Sequence, residues 1–170
     1  MSGSERIVSD SSPLIWLSKV NRLELLRKLF GDMLVPEAVR IEVTSGKSAD
    51  AYLIREAFNE GWIKAENSPG GTELVEVSGI HMGEAEAIQL ARERGALFLV
   101  DDREASVVAR VFGVRCLGSV GVLLAALASG FIDLNEFVDC IDEMISLGFR
   151  LSVQIYKRAL EEATRIATEK

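Results

Sequence analysis

Five carboxylates stand where the chain changes from one element to the next. Asp10 follows the apolar run Ile7-Val8-Ser9, Glu42 lies within Val39-Arg40-Ile41-Glu42-Val43, Glu84 follows Gly83, and Asp101-Asp102 follow Ala96-Leu97-Phe98-Leu99-Val100. Carboxylates gathered in one place repel one another unless a cation lies among them. Hard oxygen donors without thiolate or imidazole partners suit Mg2+ or Mn2+, which keep several waters and share their remaining positions with phosphate oxygens. The chemistry this predicts is metal-assisted phosphodiester hydrolysis. A bound ion polarises the attacking water, and in a two-ion site a second, about 4 Å away, steadies the leaving oxygen.

Taken singly, each acid also has a plainer reading. Asp10 and Asp102 suit helix caps, Glu84 suits the dipole at a helix start, and Glu42 suits a solvated helix face. The elements around them decide whether they act together. Ile7 to Ser9 and Ala96 to Val100 read as buried strands, each followed by a helix, and such alternation predicts right-handed crossovers and a parallel sheet. Parallel strands deliver Asp10 and Asp101-Asp102 to the same carboxyl edge, where α/β sheets bind ligands. Glu84 reaches that edge from the start of its own helix, and Glu42 from a neighbouring one.

The rest of the chain fits the same α/β plan. Ser11, Ser12 and Pro13 predict a cap and a helix start, with the helix over Leu14 to Val20 and a second helical piece after Asn21 that ends at Gly31-Asp32. Met33 to Val35 and Trp62 to Ala65 read as strands. Pro36 opens the helix that carries Glu42, and Asp50 to Asn59 reads as another. Ser68-Pro69-Gly70-Gly71-Thr72 is the clearest loop. Glu84 to Arg94 is a helix closed by Gly95, Glu104 to Phe112 is the next, and Val114 to Leu117 is a strand. Val120 to Ala128, Leu134 to Ile145 and Ser152 to Thr168 close the chain as helices. The expected organisation is a flexible N-terminus over 1–5, one domain over 6–150, and a helix over 151–170 that packs on the domain or on a partner subunit.

Bulk properties narrow the function. The chain has 170 residues, enough for one domain with a substantial core. Its longest apolar run, Val120 to Ala128, is far short of the roughly 20 residues that span a bilayer. The opening Met1-Ser2-Gly3-Ser4-Glu5-Arg6 lacks the pattern of a signal peptide, which favours the cytoplasm. Cys116 and Cys140 are not spaced as a zinc pair, and His81 is the single histidine. A formal charge of -7 opposes nonspecific nucleic-acid binding through a generally basic surface. Any such contact must use a local basic patch or a bridging metal. No G-x-G-x-x-G follows a strand, which removes a dinucleotide enzyme. A phosphorylatable receiver domain would place its acidic pair after the first strand and a lysine after the last, and neither is found.

The segments Val8-Ser9-Asp10-Ser11-Ser12-Pro13-Leu14-Ile15, Val35-Pro36-Glu37-Ala38-Val39-Arg40-Ile41-Glu42-Val43 and Gly83-Glu84-Ala85-Glu86-Ala87-Ile88, with Leu99-Val100-Asp101-Asp102, resemble PIN domains. The likeness is strongest to a prokaryotic PIN-like group and extends through Gly118-Ser119-Val120-Gly121 and Leu147-Gly148-Phe149-Arg150-Leu151-Ser152. It implies a single PIN-like domain with a central parallel sheet flanked by helices, and a ribonuclease that uses Mg2+ or Mn2+. It also implies RNA, or another single-stranded nucleic acid, as substrate, and because many members are toxins of toxin-antitoxin pairs, an antitoxin protein as partner and a homodimer. Carried over residue by residue, it implies Asp10, Glu42, Glu84 and Asp102 as catalytic acids, and Asp10, Glu84 and either Asp101 or Asp102 on the metal. Glu84 stands where the family usually has aspartate. Ser12 matches a small hydroxyl residue near the first acid. A regulatory module of the same fold that has lost catalysis is the alternative.

Arg103 directly follows the acidic pair and is the candidate phosphate contact, with Arg110 and Arg115 completing a basic patch near the acidic edge. Lys19, Arg22, Arg27 and Lys28 form a second candidate patch. His81 reads as a loop residue, Glu86 as solvated, and Trp16 and Trp62 as core or interface. Tyr156, Ala159, Leu160 and Ala163 form a packing stripe on the last helix.

Overall fold

Short strands that are apolar on both sides need cover on both faces, and this chain supplies helices for each. The computed structural model describes residues 5–68 and 79–170. Its strands are β1 (Ile7–Ser9), β2 (Met33–Pro36), β3 (Ile63–Glu66), β4 (Leu97–Leu99) and β5 (Cys116–Leu117). They form one parallel sheet in the order β3-β2-β1-β4-β5, with Val8 opposite Leu34 and Ser9 opposite Leu99. The strand order runs outward from β1 in both directions. The crevice between β1 and β4 is therefore the switch point at which open α/β sheets bind ligands.

Nine helices occur among the described residues: α1 (Ser11–Lys19), α2 (Glu24–Phe30), α3 (Glu37–Thr44), α4 (Ala49–Glu60), α5 (Met82–Arg94), α6 (Arg103–Val111), α7 (Ser119–Ala128), α8 (Leu134–Ser146) and α9 (Val153–Thr168). Strand side chains alternate between the two faces, and the core divides accordingly. Ile7, Met33, Val35, Leu97 and Leu99 pack with Leu14, Leu17, Leu26, Leu123 and Phe137 on one side. Val8, Phe98 and Val100 pack with Ala85, Ile88, Ala105 and Ala109 of α5 and α6 on the other.

The α/β architecture is the one expected, and most boundaries move by only a residue or two. The start of α1 moves further. The helix begins at Ser11 rather than Leu14, so the cap position belongs to Asp10, and Pro13 falls inside the first turn. Proline is tolerated there because the N–H it lacks has no acceptor within the helix. Asn21 breaks the chain between α1 and α2 in a left-handed conformation, φ 55°. Gly95 ends α5 in the same region, φ 60°, where a side chain would be strained.

The stripe on α9 packs on its own chain. Ala159 and Ala163 are buried, α9 lies against α7 and α8, and the Tyr156 hydroxyl donates to Asp142 at 2.7 Å. The expected loop over 68–72 lies outside the described residues beyond Ser68, as does the N-terminus before Glu5. No helix among the described residues is long and apolar enough to cross a membrane.

Candidate functional site

Where β1 and β4 end side by side, the Asp10 backbone N–H donates to the Leu99 carbonyl at 2.9 Å. That bond carries the pairing one residue past the strands, and both chains then turn into helices. A cleft of about 830 Å3 opens at this edge, lined by Asp10, Glu42, Glu84, Asp101 and Asp102 together with Ser11, Ser12, Ile15, Trp16, His81, Gly83, Gly148, Phe149 and Arg150. All five acids singled out in the sequence are brought to it.

Their environments differ. Asp10 is 7% exposed and occupies the cap position of α1, but its side chain makes no cap bond. The plain capping role is therefore unfilled, and the carboxyl is left to the cleft. Burial pushes its pKa from the ordinary 3.8 up to about 7. The Ser11 backbone N–H opposes the rise, and the negative charges of Glu84, Glu42 and Asp102 add to it. Glu84 sits in the first turn of α5, where Oε2 accepts the His81 backbone N–H at 3.2 Å. Its pKa is also raised, first by burial and then, against that backbone bond, by the nearby charge of Asp102. Glu42 lies exposed near the end of α3 and accepts the Ser11 hydroxyl at 2.7 Å.

The two adjacent aspartates divide their work. Asp102 caps α6, with Oδ1 accepting the Ala105 N–H at 2.8 Å, and it is the one whose charge is felt by both Asp10 and Glu84. Asp101 turns toward α7. Its Oδ1 accepts the Ser119 N–H at 2.7 Å, while Oδ2 accepts the Ser119 hydroxyl at 2.6 Å and the Ser12 hydroxyl at 3.1 Å. It thereby ties the ends of β4 and β5 to the first turn of α1. Gly118 makes room for this contact, since a Cβ there would lie 3.1 Å from Asp101 Oδ1.

The basic residues are placed differently from the sequence expectation. Arg103 is the exposed first residue of α6 and does not line the cleft. Arg115 precedes β5, at the opposite edge of the sheet, and pairs with Glu5. The patch expected from Arg103, Arg110 and Arg115 is not assembled at the acidic edge, because one crossover separates the two ends of neighbouring parallel strands. The second expected patch is dispersed in pairs, with Arg22 on Glu136, Arg27 on Glu24 and Glu60, Lys19 over Trp16 and Lys28 over Phe131. His81 caps α5 and lines the cleft, while Trp62 is core. Trp16 serves both, packing on the core and lining the cleft, edge-on to Phe149. The sequence pattern assigns Ser11 only to the helix cap, a position that Asp10 takes instead, and gives no site role to Ser119, Phe149 or Arg150.

The donor set fits a hard divalent cation. It consists of carboxylate oxygens, and the buried Asp10 carboxyl is disfavoured as an anion by burial and by three like charges, a conflict that a cation relieves. Among the described residues no three of these side chains close on one point. Mg2+ commonly takes only one or two carboxylates directly and keeps water in its other positions, so a loosely spaced acidic cleft suits it.

A family model described as a PIN domain matches residues 6–165. Comparison with curated proteins and with solved structures found no match. Proteins of that family are generally metal-dependent nucleases acting on nucleic acid. The match spans the sheet, all five cleft acids and most of α9, so the chain belongs to the PIN domain family.

Proposed function

We propose that the protein is a divalent-metal-dependent ribonuclease that hydrolyses phosphodiester bonds in RNA. The observation that carries this reading is the meeting of Asp10, Glu42, Glu84 and Asp102, from four separate elements, in one cleft at the switch point of the sheet. Asp10, Glu84 and Asp102 would hold the ion, directly or through its waters, since the charges of Glu84 and Asp102 both act on the buried Asp10 and that of Asp102 acts on Glu84. Mg2+ or Mn2+, when bound, supplies an activated water and offsets charge developing on the phosphate. Glu42 has one oxygen held by Ser11, and its other oxygen, which has no hydrogen-bond partner among the described residues, would orient that water or accept its proton. Asp101 supports the site by fixing Ser12 and Ser119. With its proton directed at Asp101, the Ser12 hydroxyl offers lone pairs rather than a donor to the substrate.

The setting that goes with this reading is a cytoplasmic, homodimeric toxin restrained by an antitoxin protein, and family membership is its support. The test is incubation of purified protein with a mixture of RNA and single-stranded DNA in Mg2+, in Mn2+ and in chelator. Cleavage of RNA that requires either ion is the expected result. Cleavage that persists in chelator, or intact RNA in both ions, contradicts the proposal.

A further inference from the structure

A polyanion entering this cleft meets five carboxylates in a chain whose formal charge is -7. Divalent cations answer for the phosphate that is cut, but the next phosphate of the strand still needs a positive partner. Arg150 is the one arginine among the residues lining the cleft. Among the described residues it has no carboxylate within 4 Å, although Arg22, Arg27, Arg40, Arg94, Arg115 and Arg165 all have one. An exposed guanidinium that lines an acidic cleft and pairs with none of its acids presents its donors to whatever enters.

The loop that carries Arg150 is anchored at both ends. The Phe149 N–H returns to the Met144 carbonyl at 2.9 Å, and Gly148 adopts φ 107°, a turn that disfavours any side chain. On the far side, Ser152 caps α9 by accepting the Ile155 N–H at 3.2 Å. Phe149 packs edge-on against Trp16, with ring centroids 5.2 Å apart and planes at 74°. Trp16 belongs to α1, the helix that directly follows Asp10. The loop that places Arg150 is thus braced against the element that places the first acid.

We infer that Arg150, on the loop between α8 and α9, binds the phosphodiester flanking the one being cut, so that the substrate is a strand long enough to carry that second phosphate. The inference rests on the nuclease reading, and its test separates the two. Fluorescence anisotropy with a labelled oligouridylate of about 12 nucleotides, in Ca2+ to fill hard-oxygen sites, measures binding without relying on cleavage. Arg150→Ala is expected to weaken binding about tenfold and to lower the slope of log affinity against log salt by about 0.7, with an unchanged melting temperature. Arg150→Lys should keep the salt slope while losing part of the affinity, because it retains the charge but not the planar fork. Arg158→Ala, an exposed change on α9 outside the cleft, should alter neither quantity.

In turnover, Arg150→Ala should lower kcat/KM for the oligonucleotide about tenfold and leave that for a dinucleoside monophosphate unchanged. Equal affinity and salt slope for Arg150→Ala and wild type would overturn the assignment, as would an equal loss on both substrates. Failure of the wild type to cut RNA would refute the nuclease reading, while the anisotropy result still decides for or against Arg150.

Discussion

Asp10→Asn is expected to stabilise the metal-free protein at neutral pH while abolishing its function. The Asp10 carboxyl is raised from 3.8 to about 7, foremost by burial and then by the charges of Glu84, Glu42 and Asp102. A carboxyl that holds its proton more tightly when folded makes stability fall as pH rises between the unfolded and folded values. Below 3.8 both states are protonated and nothing is lost. Between 3.8 and about 7 the unfolded chain releases the proton while the folded one keeps it, and above that range the loss is complete. The window spans roughly three pKa units at about 1.36 kcal/mol each, so the full loss is about 4 kcal/mol. Asparagine has no charge to bury, so the variant should exceed wild type by about 2 to 4 kcal/mol near pH 8 and match it near pH 4. Urea unfolding followed by circular dichroism, in chelator and across that range, gives the difference curve. A difference that does not change with pH, or a variant less stable than wild type near pH 8, would show that burial does not hold the proton on Asp10. Added Mg2+ should stabilise the wild type near pH 8 and leave the variant unmoved.

Substitutions at three further positions separate holding the fold from holding the ion. Asp102→Asn keeps a capping oxygen, so it should change stability by less than about 0.5 kcal/mol yet remove RNA cleavage, whereas Asp102→Ala should also cost about 1 kcal/mol in urea unfolding. Ser119→Ala removes the hydroxyl bond to Asp101 but leaves the backbone one, so a cost of about 1 kcal/mol and a partial rather than complete loss of cleavage are expected. Gly118→Ala would set a methyl 3.1 Å from Asp101 Oδ1. Its cleavage rate should fall further than its melting temperature suggests, and normal turnover would show that the placement of Asp101 does not matter.

The parts of the site that sequence reasoning reached depend on local pattern. β1 and β4 are buried runs, apolar except for Ser9, with polar stops, and the alternation of strands and helices makes the sheet parallel, so the meeting of Asp10 with Asp101-Asp102 at one edge follows from short stretches of chain. Glu84 was visible because Gly83 precedes a run of helix formers. The division of labour between Asp101 and Asp102 was not visible, because it depends on bonds from Asp101 to Ser119, 18 residues away, and to Ser12, 89 residues away. Arg103 attracted attention as the neighbour of Asp102 in sequence, but the turn into α6 carries it off the cleft lining. Arg150 enters from a distant loop whose position depends on the packing of Phe149 against Trp16. The early start of α1 was missed because a proline reads as an opening residue, although it also fits within the first turn.

On the proposed reading, Asp10, Glu84 and Asp102 bind a divalent cation together. Titration of Mn2+ into chelator-treated protein, followed by electron paramagnetic resonance of the free ion near neutral pH, measures this without any substrate. Saturable Mn2+ binding by the wild type and its loss in Asp10→Asn are expected, with Mg2+ competing for the same site. Equal Mn2+ binding by wild type and Asp10→Asn would contradict it.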